Sequence, residues 1–268
     1  MHAGVDPETV ARFENDTWSR CAESYADTFH LLTAHAMPFL VAAAAVESGR
    51  RVLDLGSGPG DGSALLADAG ALVDGVDFSS RMVAVARQRH PRIQFHEADA
   101  EHLPFGDCTF DAVVSNCVVH HLARPAAVFE EVSRVLVPGG RFAFSVWGAA
   151  EEQTGFGVFF AAVQAHHELQ ALPQGPLFGV TDPAVYKALT DGARLGDFGL
   201  RRHEIAWRMN TIDHLVAGLW DWGNIGALPK HIQQRIDNTT RSNARAYYQG
   251  GGFVFSHSIL VGAASSGK

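Results

Sequence analysis

The spacing of apolar residues changes along the chain, and each change marks an element. Near the start, Trp18, Ala22, Tyr25, Phe29 and Leu32 recur at steps of four, three, four and three. That lines one face of an amphipathic helix. Asp6 before Pro7 supplies an N-cap and a first helical residue, and a second helix is expected over Thr33 to Glu47. The pattern then shortens. Arg51 to Leu55 reads as a strand that runs into Gly56-Ser57-Gly58-Pro59-Gly60. A helix over Asp61 to Ala69 is stopped by Gly70, and Ala71 to Asp77 is the next strand. Ser79 or Ser80 caps a helix that ends before Pro91. Arg92 to Glu97 is a third strand, and Phe110 to Ser115 is an unbroken apolar run typical of a strand covered on both faces. Pro125 to Leu136 is a helix, Pro138-Gly139-Gly140 a turn, and Arg141 to Val146 a fifth strand.

Strand and helix alternate in this way across the middle of the chain, which predicts an α/β fold with a doubly wound, mostly parallel sheet. The remainder is less regular. Helices are expected over Phe156 to Leu172, Asp182 to Leu195, Ile212 to Trp222 and Pro229 to Tyr248, with strands over Arg201 to Met209 and Phe253 to Ala263. The helices on either side of Arg201 to Met209 have no place in the sheet and are read as a lid.

Composition narrows the function. Of 268 residues, 47% are apolar and 19% charged, enough for a sizeable core and against a disordered chain. The formal charge is −8, which argues against a phosphate-backbone binder, so no nucleic-acid partner is expected. Three scattered cysteines make no disulfide framework. With a polar, acidic start and no long apolar run, a cytoplasmic protein without membrane insertion is expected.

The glycine-rich loop carries the chemistry. Glycines after a first strand let the backbone approach a nucleotide-like ligand. A dinucleotide fingerprint needs G-x-G-x-x-G, and counting from Gly56 or from Gly58 the sixth position is Asp61 or Ser63. The loop is instead D-x-G-x-G-x-G, with Asp54 placed two residues before the first glycine. An acid there suits a cationic ligand and repels a phosphate. Asp77 ends the second strand, where a carboxylate can accept both hydroxyls of a ribose, and Phe78 beside it can lie on a purine. Asp99-Ala100 follows the third strand and can read an adenine edge.

Taken together, VLDLGSGPG (Val52–Gly60), GVDFSSRMV (Gly75–Val83), EADAEHLPFGDCTFDAVVSN (Glu97–Asn116), VVHHL (Val118–Leu122) and RVLVPGGRFAFSVW (Arg134–Trp147) resemble the class I S-adenosylmethionine-dependent methyltransferases. The likeness is to the branch similar to the ubiquinone/menaquinone-biosynthesis enzymes. The resemblance implies a Rossmann-like, seven-stranded sheet with an antiparallel last strand, here Phe253–Ala263. It implies S-adenosylmethionine as cofactor and S-adenosylhomocysteine as product. Gly56, Ser57, Gly58 and Gly60 would wrap the methionine part, and Asp54 would orient its ammonium. Asp77 would hold the ribose, with Phe78 and Met82 beside the adenine and Asp99 and Ala100 at its edge. Asn116, Cys117 and Val118 would supply backbone beneath the sulfonium, and Tyr25 would close over it. The expected organisation is N-terminal helices (1–48), cofactor core (49–147), helical lid and acceptor region (148–252), and final strand with tail (253–268).

The expected function is metal-independent methyl transfer to an O, N or C nucleophile of a small molecule, by a monomer or homodimer. His120 and His121 follow the fourth strand and are the candidate bases, His121 preferred, since imidazole suits proton transfer near neutral pH. Shaping the loop is the plainer role for both. Two alternatives stand beside this one: a cyclisation or elimination run by the same fold, or a non-catalytic metabolite binder. His166-His167 point apart on a helix and lack acid partners, so no metal site is expected. Cys117 reads as a small buried filler rather than a nucleophile. Trp207, Trp220 and Trp222 are core residues by default, although Trp220 and Trp222 in a lid would make an aromatic wall.

Overall fold

The computed structural model describes residues 5–168, 172–174, 178 and 180–267. In chain order its elements are α1 (Pro7–Asp27), α2 (His30–Thr33), α3 (Met37–Ala43), β1 (Arg51–Leu55), α4 (Asp61–Asp68), β2 (Leu72–Asp77), α5 (Ser80–Arg89), β3 (Gln94–Glu97), β4 (Phe110–Asn116), α6 (Pro125–Val135) and β5 (Leu136–Trp147). There follow α7 (Thr154–Gln164), α8 (Pro183–Gly192), β6 (Leu195–Met209), α9 (Asp213–Trp222), α10 (Lys230–Ala244), β7 (Tyr248–Gln249) and β8 (Gly252–Ser266).

The sheet runs β3-β2-β1-β4-β5-β8-β6. β1 to β5 pair in parallel, and β8 lies antiparallel between β5 and β6. This is the expected seven-strand path. The two-residue β7 makes an eighth strand, a short hairpin on β8 that the sequence did not announce. β5 starts at Leu136, so the Pro138-Gly139-Gly140 turn becomes an irregularity inside a strand, and its pairing with β4 shifts between Phe110 and Ala112.

Alternation along the strands sends side chains to opposite layers. Val52, Ala112, Val114 and Ala143 face one cluster, while Leu53, Val113, Phe142 and Phe144 face the other. The first cluster holds α2, α3, α7, α9 and α10; the second holds α6 and α8. Here one expectation is corrected. The helix foreseen over Asp182 to Leu195 is not part of a lid. Tyr186 of α8 is buried against Phe144, 5.2 Å between ring centroids, on the face opposite α7 and α9. The helix foreseen over Phe156 to Leu172 ends at Gln164, and residues 169–171 lie outside the described ones. The one expected over Thr33 to Glu47 is broken into α2, a short 3-10 turn and α3, with Pro38 in the first turn of α3.

Two capped helix starts fix the ligand-facing edge. Asp6 caps α1 by accepting from Thr9 N–H, and Ser79 caps α5 by accepting from Met82 N–H. No helix among the described residues is long and apolar enough to cross a membrane.

Candidate active site

The carboxyl ends of β1, β2, β3 and β4 open onto one cleft, and α1 covers it. Asn15 Nδ2 donates to the Phe78 carbonyl at 3.0 Å, Ser19 and Ser79 hydroxyls lie 2.8 Å apart, and Glu23 pairs with Arg81. Counted to its open mouth, the cleft encloses about 1230 Å³. Gly56, Gly58, Asp77, Phe78, Met82, Asp99, Ala100, Asn116, Cys117, Val118, Tyr25 and His121 all line it. Asp54, Ser57, Gly60 and His120 do not.

The glycine loop is shaped by backbone conformation. Gly58 has φ +52° and open space where a Cβ would stand, while a Cβ on Gly56 (φ +74°) would collide with Val118. The loop is tied to β2: Gly56 and Ser57 N–H donate to the Val76 carbonyl, and Gly58 N–H donates to Asp77 Oδ2 at 2.9 Å. Asp77 Oδ1 accepts from Ser79 N–H at 2.9 Å. Asp77 therefore organises the loop and the start of α5 while facing the cleft. Burial pushes its carboxyl up to about 6, against the two amide hydrogen bonds that favour its charge. Asp54 sits behind the loop, 2% exposed, and accepts from Ser63 Oγ at 2.6 Å. Burial raises it to about 6 as well, and the nearby Asp77 adds to the rise. Ser57 Oγ is buried without a hydrogen-bond partner among the described residues. Asp99 is exposed, with Oδ1 held by Glu101 N–H.

β4 ends in a tight knot. Asn116 donates to the Thr33 carbonyl at 3.0 Å and accepts from Ser145 Oγ at 2.7 Å. Cys117 adopts φ +58°, rare for a side-chain-bearing residue. Its N–H donates to Ser145 Oγ at 2.9 Å, and burial pushes its thiol up to about 12. Val119 to His121 then form a single 3-10 turn in which the two histidine rings meet at 4.3 Å but have different surroundings. His120 is 5% exposed and neither ring nitrogen has a partner among the described residues. Burial first, and His121 second, lower its pKa well below the ordinary imidazole value.

His121 has the opposite surroundings. Its Nδ1 lies 3.0 Å from Glu14 Oε2, and the Trp18 ring stands edge-on at 5.0 Å. Trp18 Nε1 donates to the same Oε2 at 3.1 Å. The Glu14 side chain is 3% exposed and accepts from both. Nδ1 therefore carries a hydrogen, and Nε2 is the ring nitrogen left to meet a ligand. Sequence reasoning missed Glu14. The signal was present: one step of four back from Trp18, the apolar stripe of α1 holds a carboxylate.

Beyond His121 lies a second, narrower cavity. It shares Trp18, Tyr25, Cys117 and His121 with the cleft, and its other walls include Phe29, Trp147, Phe156, Phe160 and Trp222. Trp222 reaches it, while Trp207 is buried in the core as expected of a default core residue and Trp220 packs half-buried beside that core. Behind this wall, His257 is 1% exposed and its ring packs on Phe156 at 4.8 Å. Its Nδ1 lies 3.1 Å from Gln153 Oε1. Burial lowers it to about 3. Among the described residues no group of three or more His, Cys, Asp or Glu is placed to hold a metal.

Comparison with known proteins adds identity to this geometry. A methyltransferase-domain family profile matches residues 53–144. A demethylmenaquinone methyltransferase of Clavibacter sepedonicus is 44% identical over 102 residues, covering 37% of this chain and 42% of that protein. One of Renibacterium salmoninarum is 34% identical over 146 residues, covering 54% and 60%. The aligned part is thus less than two thirds of either relative. Among solved structures, phosphoethanolamine N-methyltransferase 2 of Haemonchus contortus, crystallised with phosphomonomethylethanolamine and S-adenosylhomocysteine, superposes with a TM-score of 0.56 at 18% identity. It covers 93% of this chain and 58% of that one, which is a likeness of fold. The glycine loop, β2 end and β4 end described above all lie inside the matched segment, so residues 53–144 are similar to a methyltransferase domain and carry the features that line the cleft.

Proposed function

We propose that this protein transfers a methyl group from S-adenosylmethionine to an O, N or C nucleophile of a small molecule, without a metal. The residues present fit that cofactor. The cleft is acidic, lined by Glu8, Glu14, Asp77, Asp99 and Glu101, with Arg124 neutralised between Glu8 and Glu101. A cationic ligand is favoured there. Gly58 leaves open space toward the cleft, and Ser57 Oγ is a buried donor without a partner among the described residues. Asp77 holds the ribose in this reading, Phe78, Met82, Asp99 and Ala100 take the adenine, and Gly56, Gly58 and the Asn116–Val118 backbone flank the methionine part. Asp54 acts from behind the loop, through Ser63 and its own negative field.

When bound, the cofactor supplies a methyl group on a sulfonium, whose carbon–sulfur pair returns to sulfur as the acceptor's lone pair takes the carbon. The chain's task is then alignment, exclusion of water and handling of one proton; alignment alone is worth roughly 7–11 kcal/mol. His121 Nε2 takes the acceptor's proton, and Glu14 holds the imidazole in the tautomer that can receive it. His120, buried and with no hydrogen-bond partner among the described residues, shapes the turn. Tyr25 and Trp18 exclude water where the two cavities meet.

The observation that carries this reading is the position of His121, braced by a buried carboxylate in the wall shared by the acidic cleft and the aromatic cavity. Calorimetry with S-adenosylmethionine, S-adenosylhomocysteine and NAD(H) tests it. The first two should bind and NAD(H) should not; tight NAD(H) binding with none by S-adenosylhomocysteine would sink it.

A further inference from the structure

The aromatic cavity has a chemical bias that its wall makes explicit. Phe29, Trp147, Phe156, Phe160 and Trp222 present ring carbons, and rings meet within it: Phe29 and Phe156 stack at 5.4 Å, and Phe160 meets Trp222 at 5.8 Å. The cysteines and Tyr25 in the wall are held neutral. Burial pushes Cys21 and Cys117 up to about 12 and raises the Tyr25 hydroxyl beyond its ordinary value. Tyr25 is further tied to Thr33, 3.1 Å between hydroxyls. No Lys, Arg, Asp or Glu is among the described residues lining this cavity. Among the described residues that line it, His121 is the one imidazole and the group suited to take a proton from an acceptor.

Resting on the reading above, we infer that this cavity is the acceptor site and that it selects an uncharged, flat, aryl acceptor bearing one weakly acidic hydroxyl, which is presented to His121. Each part has a physical cause. An anion would lose its water with no cation to replace it. An ammonium would find ring faces but no carboxylate, since Glu14 is already engaged by His121 and Trp18. Flat aryl groups match walls whose rings are already set edge-to-face and stacked. A single acidic hydroxyl matches a single imidazole lone pair, and its proton passes to Nε2 as the oxygen takes the methyl group.

Three probes of one scaffold separate the possibilities at pH 7.5: 4-phenylphenol (neutral), 4-phenylbenzoate (anion) and 4-phenylbenzylamine (cation). Equilibrium dialysis against the full chain, with and without S-adenosylhomocysteine, should show 4-phenylphenol binding at least tenfold more tightly than either charged probe. Phe160→Asp places a charge in the half-buried wall. It should weaken 4-phenylphenol at least tenfold, bring 4-phenylbenzylamine level with it or ahead, and leave S-adenosylhomocysteine binding within twofold. Trp222→Ala should weaken 4-phenylphenol in the same direction. Equal or tighter binding of the benzoate or the amine to the unmodified protein would overturn the inference. So would binding of none of the three, or an unchanged 4-phenylphenol affinity in both variants. Failure of the methyl-transfer reading looks different. S-adenosylhomocysteine would then not bind, while the ranking of the three probes without it would still judge the cavity.

Discussion

The cleft and the cavity on either side of His121 are built by different means. The cleft is made of strand ends and turns. Its shape comes from backbone: Gly56 and Gly58 at positive φ, Asp77 holding two amide hydrogens, Cys117 in a left-handed conformation. The aromatic cavity is made of side chains from α1, α7, α9, the turn before α2 and the end of β5. In the proposed reading, one region would read a ligand by fixed donors and acceptors and the other would sort by size, flatness and charge. A polypeptide that keeps the first and varies the second can change its acceptor without losing its cofactor.

That division can be broken at His121, which belongs to both. His121→Ala should lower kcat by about 10²-fold or more, with S-adenosylhomocysteine affinity within twofold by calorimetry. A full-rate His120→Ala/His121→Ala variant would remove the base from the mechanism and leave alignment alone.

Asp77→Ala tests the cleft by itself. Loss of charge-assisted hydrogen bonds of about 1.5–3 kcal/mol each should weaken cofactor binding more than tenfold. The glycine loop also loses its tether at Gly58, while 4-phenylphenol binding should be unchanged. Acidity gives the same test without mutation. The ligand favours ionised Asp77, and a proton competes for it below a pKa of about 6. The cofactor dissociation constant should therefore be flat above pH 7 and rise as the pH falls below 6. Asp77→Asn should bind weakly and lose that dependence.

Glu14→Gln is gentler. It keeps the shape of α1 but replaces a charged acceptor for His121 Nδ1–H with a neutral one. Removing about 1.5 kcal/mol of charge assistance should lower kcat roughly tenfold at most, leaving both dissociation constants in place and shifting the pH–rate profile. A profile identical to the parent's would make Glu14 a packing residue. The smallest effect expected is none: activity should persist in EDTA. Loss on chelation, restored by magnesium or zinc, would contradict the metal-free reading.

The same contrast explains what the sequence could tell. Strand ends, glycine loop and caps are local in the chain, so Asp54, Asp77, Ser79 and Asn116 sit within a few residues of a recognisable period or turn signal. The placement of Asp54 was less legible: its acid is spaced to reach a ligand, yet its carboxylate turns to Ser63 behind the loop. The cavity is non-local. Trp18 and Trp222 are 204 residues apart, and Arg20 donates to the Asp221 carbonyl to bring α1 against α9. No periodicity encodes that meeting. α8 was misplaced for a related reason: its packing partners, Phe144 among them, lie far from it in sequence.

His257, buried behind the aromatic wall, gives the two regions opposite responses to acid. In the folded chain it titrates at about 3, against an ordinary 6.5. Between those values the unfolded chain holds the extra proton, so this group withdraws stability as the pH falls, by about 1.4 kcal/mol per unit within that window. Asp54 and Asp77 run the other way. Folding raises both from 3.8 to about 6, so across that interval the native chain holds the extra protons and gains stability as acid is added. Mild acid thus tightens the fold at the cleft, where it is expected to weaken cofactor binding, and loosens it behind the aromatic wall. Two ends of one sheet are set against each other by where their ionisable groups are buried.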